Sequence, residues 1–352
     1  MNIKLCFKRI YMMLVFSAFS LFCGCGSIKL EEYTQAGMNG ITGLDYNTAM
    51  ESFGKAEENG EDPVMIARGR GIASYYMMNY EESINYFLEA LSYSPSVFNE
   101  IDYDINFYLA AAYEKMDDMQ SAIDTYSAIL ALHDDDVMAY YMRGSDYLVV
   151  GEHDLAIADF DNALALDEDN YDLRIEVAGR LSENYYEEEG IKYLQNFLVE
   201  KEKKLTSFDK GRIYYYMGDL ENARVFLEDA RDDDDQNTVF FLGKTYEKLK
   251  DYNYATSVYD SFLKRHPDSA LIYNELGVSK IAAGDYEGAA DAFASAQNIE
   301  NNGMEQVLLY NEIVACEYNG EFEKAGNLMA SYIEKYPDDK DAIRENTFLS
   351  TR

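Results

Sequence analysis

Tryptophan is absent from the 352 residues, and proline, cysteine and histidine are scarce at four, four and three. So few prolines exclude a chain built mainly of loops and turns, because proline is the residue that interrupts helices. Four cysteines in this length exclude a disulfide-dense scaffold. The histidines, His133, His153 and His266, stand far apart, and no HExxH occurs, so a histidine metal centre is not expected. Bases are also scarce: 30 Lys and Arg against 65 Asp and Glu leave a formal charge of −35. That balance excludes nucleic acid as a partner, since phosphate binding needs a dense basic surface. It equally excludes electrostatic adhesion to anionic lipid. There is no GxGxxG, GxxxxGK[ST] or GxSxG, so no cofactor, no catalytic residue and no enzymatic activity are expected.

What is present is apolar surface and tyrosine. Hydrophobic residues make up 48 %, with 32 Tyr and 18 Phe, enough for a sizeable core. Length alone suggests two or three ordinary domains.

The first 22 residues differ from the rest. Lys4, Lys8 and Arg9 precede an apolar run over residues 10–22, which is a charged region followed by a 13-residue hydrophobic one. Thirteen residues fall short of the roughly 20 a spanning helix needs. Cys23-Gly24-Cys25-Gly26 follows. A hydrophobic stretch, a small residue and a cysteine resemble the lipobox of bacterial lipoproteins, with Phe22 and Cys23 departing from the usual residues there. The resemblance implies a signal peptide over 1–24 and diacylglycerol on Cys25. It further implies a short tether over 25–32 and a lipid-anchored address on the extracytoplasmic face of a bacterial cell membrane. Removing the leader removes three bases and no acid, along with Cys6 and Cys23. Only Cys25 and Cys316 then remain, and the lipid occupies the first. Cys316, in the apolar stretch IVACEY, reads as a buried structural thiol.

A period near 34 runs through everything else. DYNTAMESFGKA, NYEESINYFLEAL, DLAIADFDNALAL, DYNYATSVYDSFL, DYEGAADAFASAQ and EFEKAGNLMASYI share one pattern. Its small residue recurs as Ala49, Ser83, Ala122, Ala156, Gly190, Ala223, Ala255, Ala289 and Ala325, at intervals of 34, 39, 34, 34, 33, 32, 34 and 36. Twelve residues before each stands a second small residue, from Gly37 to Gly277; only Ile313 breaks the series. Two small residues 12 apart across a turn place consecutive antiparallel helices in close approach. The large residue four after the anchor (Phe53, Phe87, Tyr126, Phe160, Tyr259, Phe293) fills the space between helix pairs. Gly151, Gly218, Gly284 and Gly320 sit in the turns, and Pro95, Pro267 and Pro337 stop second helices.

This pattern resembles the tetratricopeptide repeat, and the resemblance covers residues 30–337. It implies an all-α fold, an α-α superhelix: a right-handed solenoid of about nine helix pairs in one elongated array. The fourth and eighth repeats match best. The fifth is weakest, with Leu181 and Phe197 where Tyr and Ala are usual, and the spacer SPSVFNEID delays the third. Residues 338–352 are expected to form a capping helix and tail. Acidic runs at 134–136, 167–169 and 232–235 fall at repeat junctions and read as solvated loops with N-cap aspartates, whereas Glu187–Glu189 are placed in the turn of the fifth repeat. No run has the ligand frame of an EF-hand.

In tetratricopeptide arrays the first helices line a concave groove. Carrying the family's groove positions onto this chain selects Arg68, Tyr75, Tyr76, Phe107, Tyr141, Phe208, Arg212, Tyr215, Tyr216, Phe240 and Lys244. Lys115, Lys248, Tyr310 and Tyr318 fall at such positions too. Tyrosine with scattered Arg and Lys is what binding hot spots favour. The implied function is a membrane-anchored, non-catalytic protein-interaction scaffold holding a peptide or partner helix. The alternatives are an accessory lipoprotein recruiting cell-wall enzymes, or a surface lipoprotein binding glycan or solute.

Overall fold

A computed structural model describes residues 31–94, 99–300, 302–337 and 339–351. The expected leader, Cys25 and most of the tether lie outside the described residues, as do residues 95–98 of the spacer before the third repeat, Pro95 among them, and Asp338. The described chain is all-α, with nineteen α-helices and one 3-10 turn over Ala230–Asp233. In order they are α1 (Glu32–Thr42), α2 (Tyr46–Glu58), α3 (Pro63–Tyr76), α4 (Tyr80–Tyr93), α5 (Glu100–Lys115), α6 (Met119–Leu130), α7 (Val137–Val149), α8 (His153–Leu166), α9 (Tyr171–Glu183) and α10 (Glu187–Lys201). There follow α11 (Ser207–Tyr216), α12 (Leu220–Asp229), α13 (Gln236–Lys248), α14 (Tyr252–Leu263), α15 (Ala270–Ala283), α16 (Tyr286–Gln297), α17 (Glu305–Tyr318), α18 (Phe322–Lys335) and α19 (Lys340–Leu349). Odd and even helices alternate as first and second members of nine pairs, and α19 is the extra one. Among these helices none is long and apolar enough to cross a membrane.

The chain divides into two compact units, with the boundary between Tyr193 and Leu194. In the first, α1 to α8 pack each on the next, and α1, α3 and α5 also touch in sequence. In the second, α11 to α19 do the same, with α11, α13 and α15 touching.

Small residues 12 apart act as the sequence suggests. Ser83 Oγ donates to the carbonyl of Gly71 at 2.8 Å, so the two helices of that pair meet at their backbones. The large residue four beyond the anchor lies over the first small residue of its own pair. A Cβ on Gly71 would stand 2.5 Å from Phe87, one on Gly277 2.5 Å from Phe293 and one on Gly243 2.1 Å from Tyr259. Phe53 also reaches Gly69 of the following pair. These rings are fully buried, and each links a helix pair internally before it links neighbours.

Aspartates cap the helices. Asp45, Asp118, Asp136, Asp219, Asp235, Asp251 and Asp285 each accept the backbone N–H three residues on, which satisfies one of the donors a helix start leaves open. The junction acids are therefore helix-start acids in part. Glu187–Glu189 correct an expectation: they form the first turn of α10, not the turn before it. Three carboxylates at a helix N-terminus are favoured by its partial positive charge.

The turn inside each helix pair holds one residue with left-handed backbone, always five before the anchor. Glycine supplies it at Gly151, Gly218, Gly284 and Gly320, but Leu44, Met78, Asp117, Tyr185 and Lys250 adopt it elsewhere (φ 59, 63, 59, 72 and 64). A side chain there costs about 1–2 kcal/mol. Tyr185 is 97 % exposed, so its ring offsets little of that cost. Tyr185→Gly should stabilise the protein by about 0.5–1 kcal/mol after the glycine's larger unfolded-state entropy is deducted. A urea titration reads this directly, and a lower midpoint would show that the ring contributes.

Candidate functional site

The eleven groove residues divide by burial. In the first unit Arg68, Tyr75, Phe107 and Tyr141 are buried, and Tyr76 is 37 % exposed. Arg68 on α3 donates through Nε to Asp104 on α5 at 2.5 Å, which ties successive first helices together. Tyr75 meets Tyr76, Tyr80 and Tyr108 edge-on. Phe107 packs on Tyr103 and Tyr126. The hydroxyl of Tyr141 accepts from Arg180 Nε at 3.2 Å. Arg68, Tyr75 and Tyr141 thus link successive first helices, and Phe107 links α5 to α6. Only Tyr76, stacked on Tyr46, offers a face to solvent.

A carboxyl pair lies beside them that sequence reasoning missed. Tyr126 donates to Glu114 at 2.8 Å, and Asp146, on the next first helix, is buried with Oδ2 unpaired. Burial, then the charge of Glu114, raises the Asp146 carboxyl to about 9, partly offset by Arg180. Burial also raises Glu114. Such a pair holds a proton at neutral pH.

The second unit is more open. Phe208, Arg212 and Tyr216 on α11 and Phe240 on α13 are half-buried, while Tyr215 and Lys244 are buried. Arg212 lies 5.3 Å over Phe208 and 5.2 Å over Phe241. Phe241 in turn meets Tyr215, Tyr216 and Phe240 edge-on. The exposed Lys248 places its ammonium 3.9 Å over the Tyr215 ring. A guanidinium and an ammonium thus lie over connected aromatic faces, a surface that gains from both dispersion and charge.

Lys244 is not part of that open surface. Its Nζ is 2.8 Å from Glu247 and 2.8 Å from Glu275. Burial works to lower its pKa, but the two carboxylates outweigh burial and hold it above the ordinary lysine value. Tyr259 donates to Glu247 at 3.1 Å, and Asn311 and Asn274 extend the network to Glu275. The signal for both missed clusters is present in the sequence. Where the large residue after the anchor is Tyr rather than Phe, a Glu stands twelve residues earlier, at 114 and 247. A buried hydroxyl needs a partner, and that carboxylate supplies it.

A tetratricopeptide repeat family model matches residues 240–303, and a second tetratricopeptide repeat model matches 104–136. A tetratricopeptide-repeat-containing protein of Methanocaldococcus jannaschii is 25 % identical over 268 residues, 75 % of this chain. The chain spans 42 % of that relative's length. Among solved structures, yeast Tom70 aligns at a TM-score of 0.53 with 16 % identity, covering 88 % of this chain and 69 % of Tom70. A tetratricopeptide repeat protein from Parabacteroides merdae covers 80 % of this chain and 97 % of its own, at 16 % identity and a TM-score of 0.46. The chain carries tetratricopeptide repeats, and its fold is that of such an array.

Proposed function

We propose that this protein is a membrane-anchored, extracytoplasmic scaffold without catalysis of its own, which binds a peptide or helix of a partner protein on the first helices of its second unit. The tetratricopeptide fold is consistent with a protein-interaction scaffold. The observation that supports the surface is the connected set of Arg212, Phe208, Phe241, Tyr216 and Lys248, half-buried or exposed and cationic in a chain of charge −35. Large amphipathic rings bearing a guanidinium are what interface hot spots use. A peptide with aromatic and acidic side chains fits it. The proposed anchor is a diacylglycerol on Cys25, supported by the leader pattern before it.

Tyr216 is the place to test this, because the neighbouring Tyr215 is buried. A photo-reactive residue at 216 in the full chain, irradiated in cells, should give one dominant protein adduct from the membrane fraction. Lys248→Glu should reduce that adduct about tenfold or more. Cys25→Ser should move the protein off the membrane and abolish labelling by a lipid precursor. No protein adduct from folded, membrane-bound protein would overturn the surface. Unchanged membrane association in Cys25→Ser would overturn the anchor.

A further inference from the structure

The carboxylate found at 114 and 247 recurs once more, as Glu317 on α17, twelve residues before Met329 on α18. In the third and seventh pairs a tyrosine hydroxyl donates to it, at 2.8 and 3.1 Å. A base stands with each: Lys115 and Arg180 act on Glu114 by charge, and Lys244 lies 2.8 Å from Glu247. The ninth pair has neither. Met329 carries no hydroxyl. Ile313, where the others have Ala110 and Gly243, fills the space a tyrosine ring would take; both Ile313 and Met329 are fully buried. This explains why Ile313 alone breaks the small-residue series.

Glu317 is left over by that exchange. It is 8 % exposed, and its Oε1 is buried with no hydrogen-bond partner. Burial, then the like charge of Glu345 on α19, raises its carboxyl to about 7. Tyr310 senses the same acidic group, made of Glu345, Asp339, Glu317 and Asp341. Of the bases closest in sequence, Lys324 pairs with Glu312 at 3.2 Å, and Arg344 is exposed beside Asp341 at 3.6 Å. Among the described residues no group of three or more His, Cys, Asp or Glu could hold a metal ion, so a metal is not the occupant this chemistry selects. Glu345 is half-buried and Tyr318 is 42 % exposed, so the group borders solvent.

We propose that Glu317, backed by Glu345, receives a lysine or arginine side chain of a bound peptide, filling the place that hydroxyl and base occupy in the third and seventh pairs. A cation there relieves the repulsion between the two carboxylates and satisfies the buried oxygen. This inference rests on the peptide-binding reading above and adds a basic residue to the peptide it describes.

The test selects random dodecapeptides on the immobilised full-length protein and remakes the tightest with each Lys or Arg replaced by norleucine. At least one such replacement should weaken binding to the native protein about tenfold. The same replacement should matter less than about twofold on Glu317→Gln. Ile313→Ala with Met329→Tyr, which rebuilds the Ala110–Tyr126 arrangement and offers Glu317 an internal hydroxyl, should also weaken the native peptide. Peptides whose cations are dispensable, or matter equally on Glu317→Gln, overturn the inference and leave the groove reading standing. A selection that yields no peptide overturns both.

Discussion

Phe293→Ala is expected to lower stability by about 3–5 kcal/mol, the range for deleting a fully buried aromatic ring. Phe293 is fully buried between α15 and α16, and its ring edge occupies the space a Cβ on Gly277 would need. Removing the ring leaves a cavity opposite a glycine, which cannot refill it. Each repeat contacts mainly its neighbours, so the loss should be local before it is global. Amides of α15, α16 and α17 should lose hydrogen-exchange protection first. The chain itself suggests the compensation. Its ninth pair places the larger side chain at Ile313 and the slimmer one at Met329. Gly277→Ile should therefore destabilise the native protein, yet restore about 1–2 kcal/mol when combined with Phe293→Ala. Additive losses would show that the two positions do not share one volume.

Lys244→Met is the second large effect, about 3–5 kcal/mol, because it leaves two buried carboxylates without their cation. Its signature is pH dependence. Burial already raises Glu247 above the ordinary glutamate value, although Lys244 pulls it down. Without the lysine Glu247 should rise further. A carboxyl whose folded pKa exceeds its unfolded one holds more protons when folded. Its folded state is thus favoured below the unfolded pKa and loses stability as pH rises toward the folded one. The variant should be closest to native stability near pH 5 and furthest from it near pH 8, as read by urea titrations at the two pH values. A pH-independent loss would mean that Lys244 acts through its aliphatic stem alone. Lys244→Met with Glu247→Gln and Glu275→Gln should recover much of the loss and flatten the pH profile.

Both predictions use residues that the repeat marks, but they differ in how visible they were. Phe293 and Gly277 are legible from spacing, since a ring four after an anchor and a small residue sixteen before it recur through the chain. The groove residues were legible only as positions on first helices. Position alone could not separate the exposed Lys248, whose ammonium lies over the Tyr215 ring, from Lys244, four residues earlier and enclosed by Glu247 and Glu275. Nor could it separate Tyr216 from the buried Tyr215 beside it.

What the sequence determined by itself was the helix pairs, their turns and the close approach inside each pair. These depend on contacts within about 34 residues of chain and on glycine, aspartate and ring spacing that local geometry dictates. What only the tertiary structure decided was which polar side chains the stacking closes over. That depends on neighbours about one repeat away, such as Asp104 for Arg68 and Glu275 for Lys244. It also depends on substitutions that compensate across a pair, as Ile313 and Met329 do. The distinction between Glu247, paired with Lys244 and Tyr259, and Glu317, buried with an unpaired oxygen, exists only once the helices are packed.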